Sequence, residues 1–189
     1  MKTIELWFKR IWLVVAIITF GFAYGPMAGA YALTPTATGI PTAPAPKAKE
    51  RLRQVWSREQ VVYAKLDTFL NNVDQGISNV QELINRAKTR GKDTSDLQNA
   101  LDSFSEAVNQ AEPIYQSTAG IVTSHPGFDE NGNVTDPLQA FATVKELGEK
   151  FKQIRQLLLG PGKALREALK TFHDENMATA VPKPTQIGG

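Results

Sequence analysis

The residues with the strongest ligand character lie in a turn-rich stretch in the second half of the chain, residues 124–135, which reads SHPGFDENGNVT. Asp129, Asn131 and Asn133 place oxygen-bearing side chains at alternate positions, as a hard cation such as Ca²⁺ requires. Gly132, however, stands at the fourth place of this pattern rather than the sixth, and no glutamate follows at the twelfth. The pattern favours a glycine-containing surface turn and leaves these three residues as a candidate metal site.

Other chemical signatures are sparse. The chain has no cysteine, which excludes thiolate metal sites and a catalytic cysteine. Neither His125 nor His173 has the Glu-x-x-His spacing of metal sites in helical bundles. The sequence Gly160-Pro161-Gly162-Lys163 lacks the hydroxyl residue that completes a phosphate-binding loop, and no Gly-x-Ser-x-Gly turn is present. We therefore predict a protein that is not an enzyme and that holds no cofactor.

The N-terminal segment, 1–32, has the order of a secretory signal peptide. A basic start precedes an apolar run at positions 11–20. Ala30 and Ala32 then supply small side chains at the two positions that a signal peptidase reads. This order predicts cleavage before Leu33.

An uncleaved membrane anchor is the alternative for the same segment. No charged residue occurs between Arg10 and Lys47, so residues 11–33 could span a bilayer. In both interpretations the positive end stays inside, and the rest of the chain is exported to the periplasm, the cell envelope or the exterior. The overall charge of +2 comes from the N-terminal segment, which carries three basic residues and one acidic residue. The remainder is neutral, so the charge does not support nucleic-acid binding.

Composition divides the rest of the chain into three parts. Residues 33–47 are rich in proline, threonine and alanine, which predicts a disordered, semi-rigid spacer. Residues 177–189 have a similar composition and predict a disordered tail. Between them, residues 48–176 carry the apolar periodicity of helices.

That periodicity defines three long helical segments, at about residues 48–90, at about 96–123, and from 137 onward. The first stripe is interrupted by Glu59 alone, and Trp56 and Tyr63 lie beside it. Its apolar members are Leu52, Val55, Val62, Leu66, Phe69, Val73, Ile77, Val80, Ile84 and Ala87. The second comprises Leu97, Leu101, Phe104, Val108, Ala111, Tyr115, Thr118 and Val122. The third comprises Leu138, Phe141, Val144, Gly148, Phe151, Ile154, Leu158, Leu165, Ala168 and Phe172.

The predicted fold is all-α, an elongated antiparallel three-helix bundle with coiled-coil-like packing. Pro113 is expected to kink the second helix, because proline removes one backbone hydrogen bond. Gly160, Pro161 and Gly162 form a predicted hinge in the third helix, which is either bent there or broken into two helices. Continuity of the apolar stripe across the hinge favours the bend.

Residues at the helix ends carry further signals. Ser95 and Gln98 have the spacing of a capping box at the start of the second helix. Asp136 precedes a first-turn proline, which predicts a cap for the third helix. Residues 93–144 carry eight acidic residues and no lysine or arginine, between two segments with a basic excess. This pattern predicts complementary charge along the helix seams.

The loop from Ser124 to Asp136, with Arg90-Gly91-Lys92-Asp93 before the second helix, resembles sequences of uncharacterised exported bacterial helical-bundle proteins. The resemblance covers about residues 51–172. It implies an exported helical domain, and it implies no known activity and no functional residue.

These observations favour an exported or cell-envelope helical protein that acts as a structural spacer or a protein-interaction module. The expected partner is another envelope protein or a second copy of the chain. Contact with a membrane is expected only if the N-terminal segment stays uncleaved. The alternatives are a chaperone-like binder of hydrophobic clients, and a carrier of a small ligand or metal with a pocket at the bends near Pro113 or Gly160.

Overall fold

The computed structural model describes residues 46–178, which form three helices and no strand. Helix α1 spans Pro46–Thr89, α2 spans Ser95–Ser124 and α3 spans Pro137–Ala178. The prediction of an all-helical chain with three long helices is confirmed for this range. The predicted signal peptide, nearly all of the proline-rich spacer and most of the predicted C-terminal tail lie outside the described residues.

A glycine follows the last turn of α1. Gly91 has φ +70°, a left-handed conformation that glycine adopts without steric cost. The N–H of Lys92 then donates to the carbonyl of Ala87 at 3.1 Å, which closes the last turn in the manner of a Schellman motif.

The start of α2 differs from the prediction. Ser95 is the first helical residue rather than the cap, and its N–H and hydroxyl both donate to Asp93 Oδ1, at 2.9 and 2.8 Å. Gln98 does not reach back to the helix start. Its side chain instead exchanges two hydrogen bonds with Gln81 of α1, at 3.0 and 3.1 Å. The capping-box prediction is therefore wrong, because this glutamine joins two helices.

At the start of α3 the predicted cap is confirmed. One carboxylate oxygen of Asp136 accepts the N–H groups of Leu138 and Gln139, at 2.9 and 3.1 Å. Pro137 occupies the first helical position, where it needs no hydrogen-bond partner for a backbone N–H.

All three helices bury one face in a shared apolar core. Burial of these side chains is the main stabilising term for helices of this length. The largest side chains that are almost fully enclosed are Trp56, Leu66, Ile84, Leu97, Leu101, Leu147 and Ile154.

Contacts between α1 and α2 run in opposite sequence order. Gln81 of α1 pairs with Gln98 near the start of α2. Asp67, earlier in α1, accepts a hydrogen bond from Tyr115, later in α2, at 2.8 Å. Residue numbers fall along one helix as they rise along the other, which is the order of antiparallel neighbours.

The contacts between α2 and α3 have the same opposite order. Lys150 donates to the hydroxyl of Ser117 at 3.0 Å. Thr143, earlier in α3, donates to the carbonyl of Pro126, just after the end of α2, at 2.8 Å.

The buried faces largely follow the predicted stripes, but they differ near two helix starts and within α3, where Leu147 and Leu169 are buried although neither was in the predicted stripe. Leu138 is 80% exposed although it belongs to the predicted stripe, because it lies in the first turn of α3, and Ala140 is buried just after it. Trp56 is only 2% exposed, and it replaces Leu52 and Val55 as the buried residue at this end of α1. The stripe predicted for α2 is buried almost throughout.

Two of the prolines lie in helix interiors. Pro113 lies inside α2 and Pro161 inside α3. Helix α3 continues through Gly160, Pro161 and Gly162 up to residue 178.

Candidate functional site

An unpaired carboxyl group lies inside the apolar core. Glu59 is only 5% exposed on the inner face of α1. Its Oε2 atom has no hydrogen-bond partner within residues 46–178. Because a buried polar atom without a partner costs folding free energy, it calls for a functional or physical explanation. Glu59 is therefore the centre of the candidate site.

Two stacked aromatic pairs flank this carboxyl along α1. Trp56 precedes Glu59 by three residues and Tyr63 follows it by four, spacings that place all three on one helix face. The Trp56 ring stacks on Phe128, with centroids 4.7 Å apart and planes 15° apart. The Tyr63 ring stacks on Tyr115 of α2, with centroids 5.2 Å apart and planes 18° apart. Glu59 thus lies between a contact to the α2–α3 loop and a contact to α2.

The second aromatic pair continues into a hydrogen bond at the edge of the bundle. The hydroxyl of Tyr115 donates to Asp67 Oδ1 at 2.8 Å. Burial raises the pKa of Tyr115, and the neighbouring Tyr63 and Asp67 groups raise it further. Tyr115 therefore remains a protonated donor at neutral pH.

On the α3 side, the Glu59 carboxyl faces a glycine. A Cβ atom built on Gly148 would lie 3.8 Å from Glu59 Oε1, an ordinary van der Waals contact, and would meet no other atom within 4 Å. The glycine thus leaves room for about one methyl group in front of the carboxyl. It also means that this position of α3 offers the carboxyl no side-chain donor.

Burial dominates the electrostatics of Glu59. It raises the pKa of the carboxyl from 4.5 to about 7, because the charged form is poorly solvated inside the bundle. The positive charge of Arg58 acts in the opposite direction but does not reverse the effect. A carboxyl group with this pKa takes up and releases a proton near neutral pH.

The loop between α2 and α3 covers the Trp56 end of the site. Phe128 is buried, and it forms an isolated β-bridge with Val134 that holds the loop closed. Gly132 lies against the indole ring, since a Cβ atom there would be 3.2 Å from Trp56 Cδ1.

The same loop contains the candidate metal residues, and the structure joins the side chains of Asp129 and Asn133, while Asn131 contributes its backbone N–H. Both oxygens of the Asp129 carboxylate accept hydrogen bonds, from the N–H groups of Asn131 and Asn133 and from the Asn133 side chain, at 2.8–3.0 Å. The Asn133 bonds are the largest cause of the lowered pKa of Asp129. The hydrogen bonds to the Asp129 carboxylate thus stabilise the turn. A metal ion that bound this carboxylate would have to displace their donors.

Other residues singled out from the sequence lie apart from this site. Within residues 46–178, no cluster of three or more acidic or histidine side chains could hold a metal ion. Pro113 and residues 160–162, where a hinge was predicted, lie inside α2 and α3. Ala30, Ala32 and Leu33, predicted around the signal cleavage position, lie outside the described residues.

The residues of this site stood out in the sequence, but their pattern did not show that the acid is buried. Glu59 alone interrupts the first apolar stripe, and Trp56 and Tyr63 stand one heptad apart beside it. An exposed acid at a helix boundary would give the same pattern. In the folded chain the carboxyl of Glu59 faces Gly148 of α3, which is distant in sequence.

The chain matches no known protein family, no curated protein and no solved structure. Among the residues that the structure describes, none of the helices combines the length and apolar character needed to cross a membrane. The apolar segment at residues 11–33 lies outside this range.

Proposed function

We propose that the chain is an exported, non-enzymatic helical protein of the cell envelope, acting as a structural spacer or as an interaction module for another envelope protein or a second copy of itself. The observation that carries this proposal is that the three helices bury their apolar faces against one another. A bundle closed in this way presents mainly polar side chains to its surroundings. The predicted export signal at residues 1–32 supports a location outside the cytoplasm. The predicted proline-rich spacer at residues 33–47 would separate the bundle from that N-terminal segment.

The outer surface of the described bundle supports the same proposal. Its large exposed apolar side chains are Val61 on α1, and Leu138 and Leu159 on α3, which are several helical turns apart. They are scattered, whereas a binder of hydrophobic clients needs a contiguous apolar patch.

The interior supports a structural role as well. Thr118 and Thr143 are buried, and their hydroxyl groups donate to the backbone carbonyls of Tyr115 and Pro126, at 2.6 and 2.8 Å. The Thr118 bond lies within α2, whereas the Thr143 bond joins α3 to the loop.

The proposed shape is an elongated antiparallel bundle with a bend in α3. The 44 residues of α1 correspond to a length of about 66 Å at the rise of an ideal helix. Pro161 has no N–H to donate to the carbonyl of Leu157, and a Cβ atom at neighbouring Gly160 would meet nothing within 4 Å. We propose that α3 bends at Pro161 without ending there.

Pro161→Ala tests this bend. The substitution restores one backbone hydrogen bond and removes the clash of the proline ring, so it is expected to raise the free energy of unfolding by about 1–3 kcal/mol. Urea unfolding followed by circular dichroism at 222 nm measures the change. A loss of helix content would instead show that the proline is a required break between two helices.

Export is tested with the full chain in a bacterial host. Protease added to spheroplasts should degrade the bundle, whereas a chain lacking residues 1–32 should stay intact in the cytoplasm. The mass of the protected or released product then distinguishes cleavage before Leu33 from an uncleaved anchor. Full protection of the complete chain would contradict an exported location.

A separate test of the structural role measures how much apolar surface the protein exposes. The purified chain should bind little of a dye that fluoresces on exposed apolar patches, and it should not slow the aggregation of an unfolded client protein. Strong dye binding together with suppressed aggregation would contradict the spacer role and would favour a chaperone-like function. Light scattering after size exclusion shows whether a second copy is the partner.

A further inference from the structure

Glu59 lies where α1 meets every other part of the bundle. Three residues before it, Trp56 stacks on the loop at Phe128, and four residues after it, Tyr63 stacks on α2. Gly148 of α3 faces its carboxyl directly. A change in the charge of this one group therefore acts on the contacts of α1 with α2, with α3 and with the loop at once.

We propose that Glu59 is a proton-dependent latch for the N-terminal half of α1. In its protonated form this half packs on α2, α3 and the loop, and loss of the proton loosens the packing while the C-terminal half of α1 stays in place. The proposal is independent of the spacer function, because it concerns only how the bundle is held closed.

The geometry favours the neutral form of the carboxyl. Oε2 of Glu59 has no hydrogen-bond partner within residues 46–178, and Gly148 brings no donor toward it. If the carboxyl were charged, the buried Oε2 would lose its hydration without gaining a compensating bond, whereas a neutral carboxyl loses much less. The raised pKa is the expected consequence.

The surrounding charges do not neutralise the carboxylate. On α1, Arg58 is exposed, and its positive charge favours the charged form but does not overcome the effect of burial. On α2, the titratable side chains at this level are Tyr115, which donates to Asp67, and His125 at the helix end.

Helix α3 offers no better counter-charge at this level. Lys145, Glu149 and Lys152 lie near Gly148 along the helix, and all three are exposed to solvent. Their charges are therefore hydrated and screened rather than directed at the buried carboxyl.

The remaining charged groups near the site are engaged elsewhere or exposed. Lys150 of α3 is half-buried, but it donates to Ser117 of α2 at 3.0 Å. In the loop, Asp129 accepts hydrogen bonds within its own turn, and Glu130 is exposed. The two loop acids are negative, so neither could stabilise a charged Glu59.

The C-terminal half of α1 is held by different contacts. Val73, Val80 and Ile84 are buried there. The paired amides of Gln81 and Gln98 then join this half to α2. None of these side chains titrates, so their packing is independent of pH. The two halves of α1 should therefore respond differently to a change of pH.

The sign of the pH effect follows from the two pKa values of Glu59. In the open state the carboxyl has its ordinary pKa of 4.5, and in the packed state its pKa is about 7. Below pH 4.5 both states are protonated and the packing has its full stability. As the pH rises from 4.5 to 7, the open state loses its proton first, so opening becomes more favourable by about tenfold per unit. Above pH 7 both states are charged and the effect levels off.

Hydrogen–deuterium exchange of the full chain, read by mass spectrometry, tests the latch. The wild type is compared with Glu59→Gln at each pH from 5 to 8, so that the intrinsic pH dependence of exchange cancels. The opening constant of residues 50–66, relative to the variant, should rise by about 70-fold over this range if the pKa is raised from 4.5 to about 7. Residues 76–89 should show the same protection in both proteins.

One control variant and one independent measurement accompany this experiment. Glu82→Gln changes an exposed glutamate on the same helix and should behave as the wild type does. An equal pH dependence in the wild type and in Glu59→Gln would overturn the latch, and so would an effect spread evenly over α1. If the glutamine variant does not fold, carboxyl carbon NMR of the wild type decides the question. A Glu59 pKa near 4.5 refutes the proposal, and a pKa near 7 with matching loss of protection in residues 50–66 supports it.

Discussion

Gly127→Ala is expected to destabilise the bundle by about 3 kcal/mol or more, since it combines a strained backbone with a steric clash. Gly127 has φ +84°, a conformation that residues with a side chain rarely adopt. A Cβ atom there would lie 2.1 Å from the backbone N of Ala140 and 2.7 Å from the carbonyl oxygen of Asp136. Both are main-chain atoms at the start of α3, so no side chain can turn away to relieve the clash.

The clash forces either the loop or the first turn of α3 to move. Moving the loop would separate Phe128 from Trp56, and moving the helix would weaken the cap formed by Asp136. The far-ultraviolet spectrum should change little if only the loop moves. The urea midpoint should fall in both cases.

Gly120→Ala is the matched control for this substitution. Gly120 lies within α2, and a Cβ atom there would meet nothing within 4 Å. Alanine is the better helix former, so this variant should gain about 0.5–1 kcal/mol. Each variant adds one methyl group to the wild-type chain, and the two should move the urea midpoint in opposite directions. A cost below about 1 kcal/mol for Gly127→Ala would show that the loop is not fixed against α3.

The helices could be predicted from sequence because their signals are local. The apolar stripe of α2 and the cap at Asp136 depend on spacing alone, and both agree with the structure. Ser95 and Gln98 show the limit of such signals. Their spacing fits a capping box, but Asp93 provides the bond at the helix start and Gln81 of a different helix engages the glutamine.

The candidate site could not be predicted, because its properties arise from contacts between distant segments. The sequence shows an acid inside the stripe of α1, but Phe128 lies in the loop beyond α2 and Gly148 lies in α3. Whether the acid is buried is decided by the packing of α1 against these distant segments, which spacing along α1 does not reveal. For the candidate metal residues, the sequence indicated a site that the packing of the loop does not favour. The side-chain types at 129 and 133 suit a cation, while the loop uses them for its own turn.

Phe151→Ala and Phe104→Ala are each expected to lower the free energy of unfolding by about 3–5 kcal/mol, because each removes a buried aromatic ring. Phe151 is 2% exposed in α3, and Phe104 is 4% exposed in α2. Leu138→Ala is the control, since its side chain is 80% exposed and its loss should change stability by less than about 0.5 kcal/mol. Urea unfolding measures all three. A loss below about 1 kcal/mol at both phenylalanines would refute the assignment of the apolar stripes to the core.

The two phenylalanine variants should differ in their pH dependence although their costs are similar. Phe151 follows Gly148 by three residues, so the two positions lie one turn apart on the same face of α3. Loss of the ring should let water closer to the carboxyl and lower the Glu59 pKa toward 4.5. Phe104 lies in the first half of α2, well before Tyr115, and its loss should leave that pKa unchanged. Between pH 5 and 8, stability should therefore fall less steeply in Phe151→Ala than in Phe104→Ala. Equal slopes would mean that the ring of Phe151 does not shield Glu59 from water.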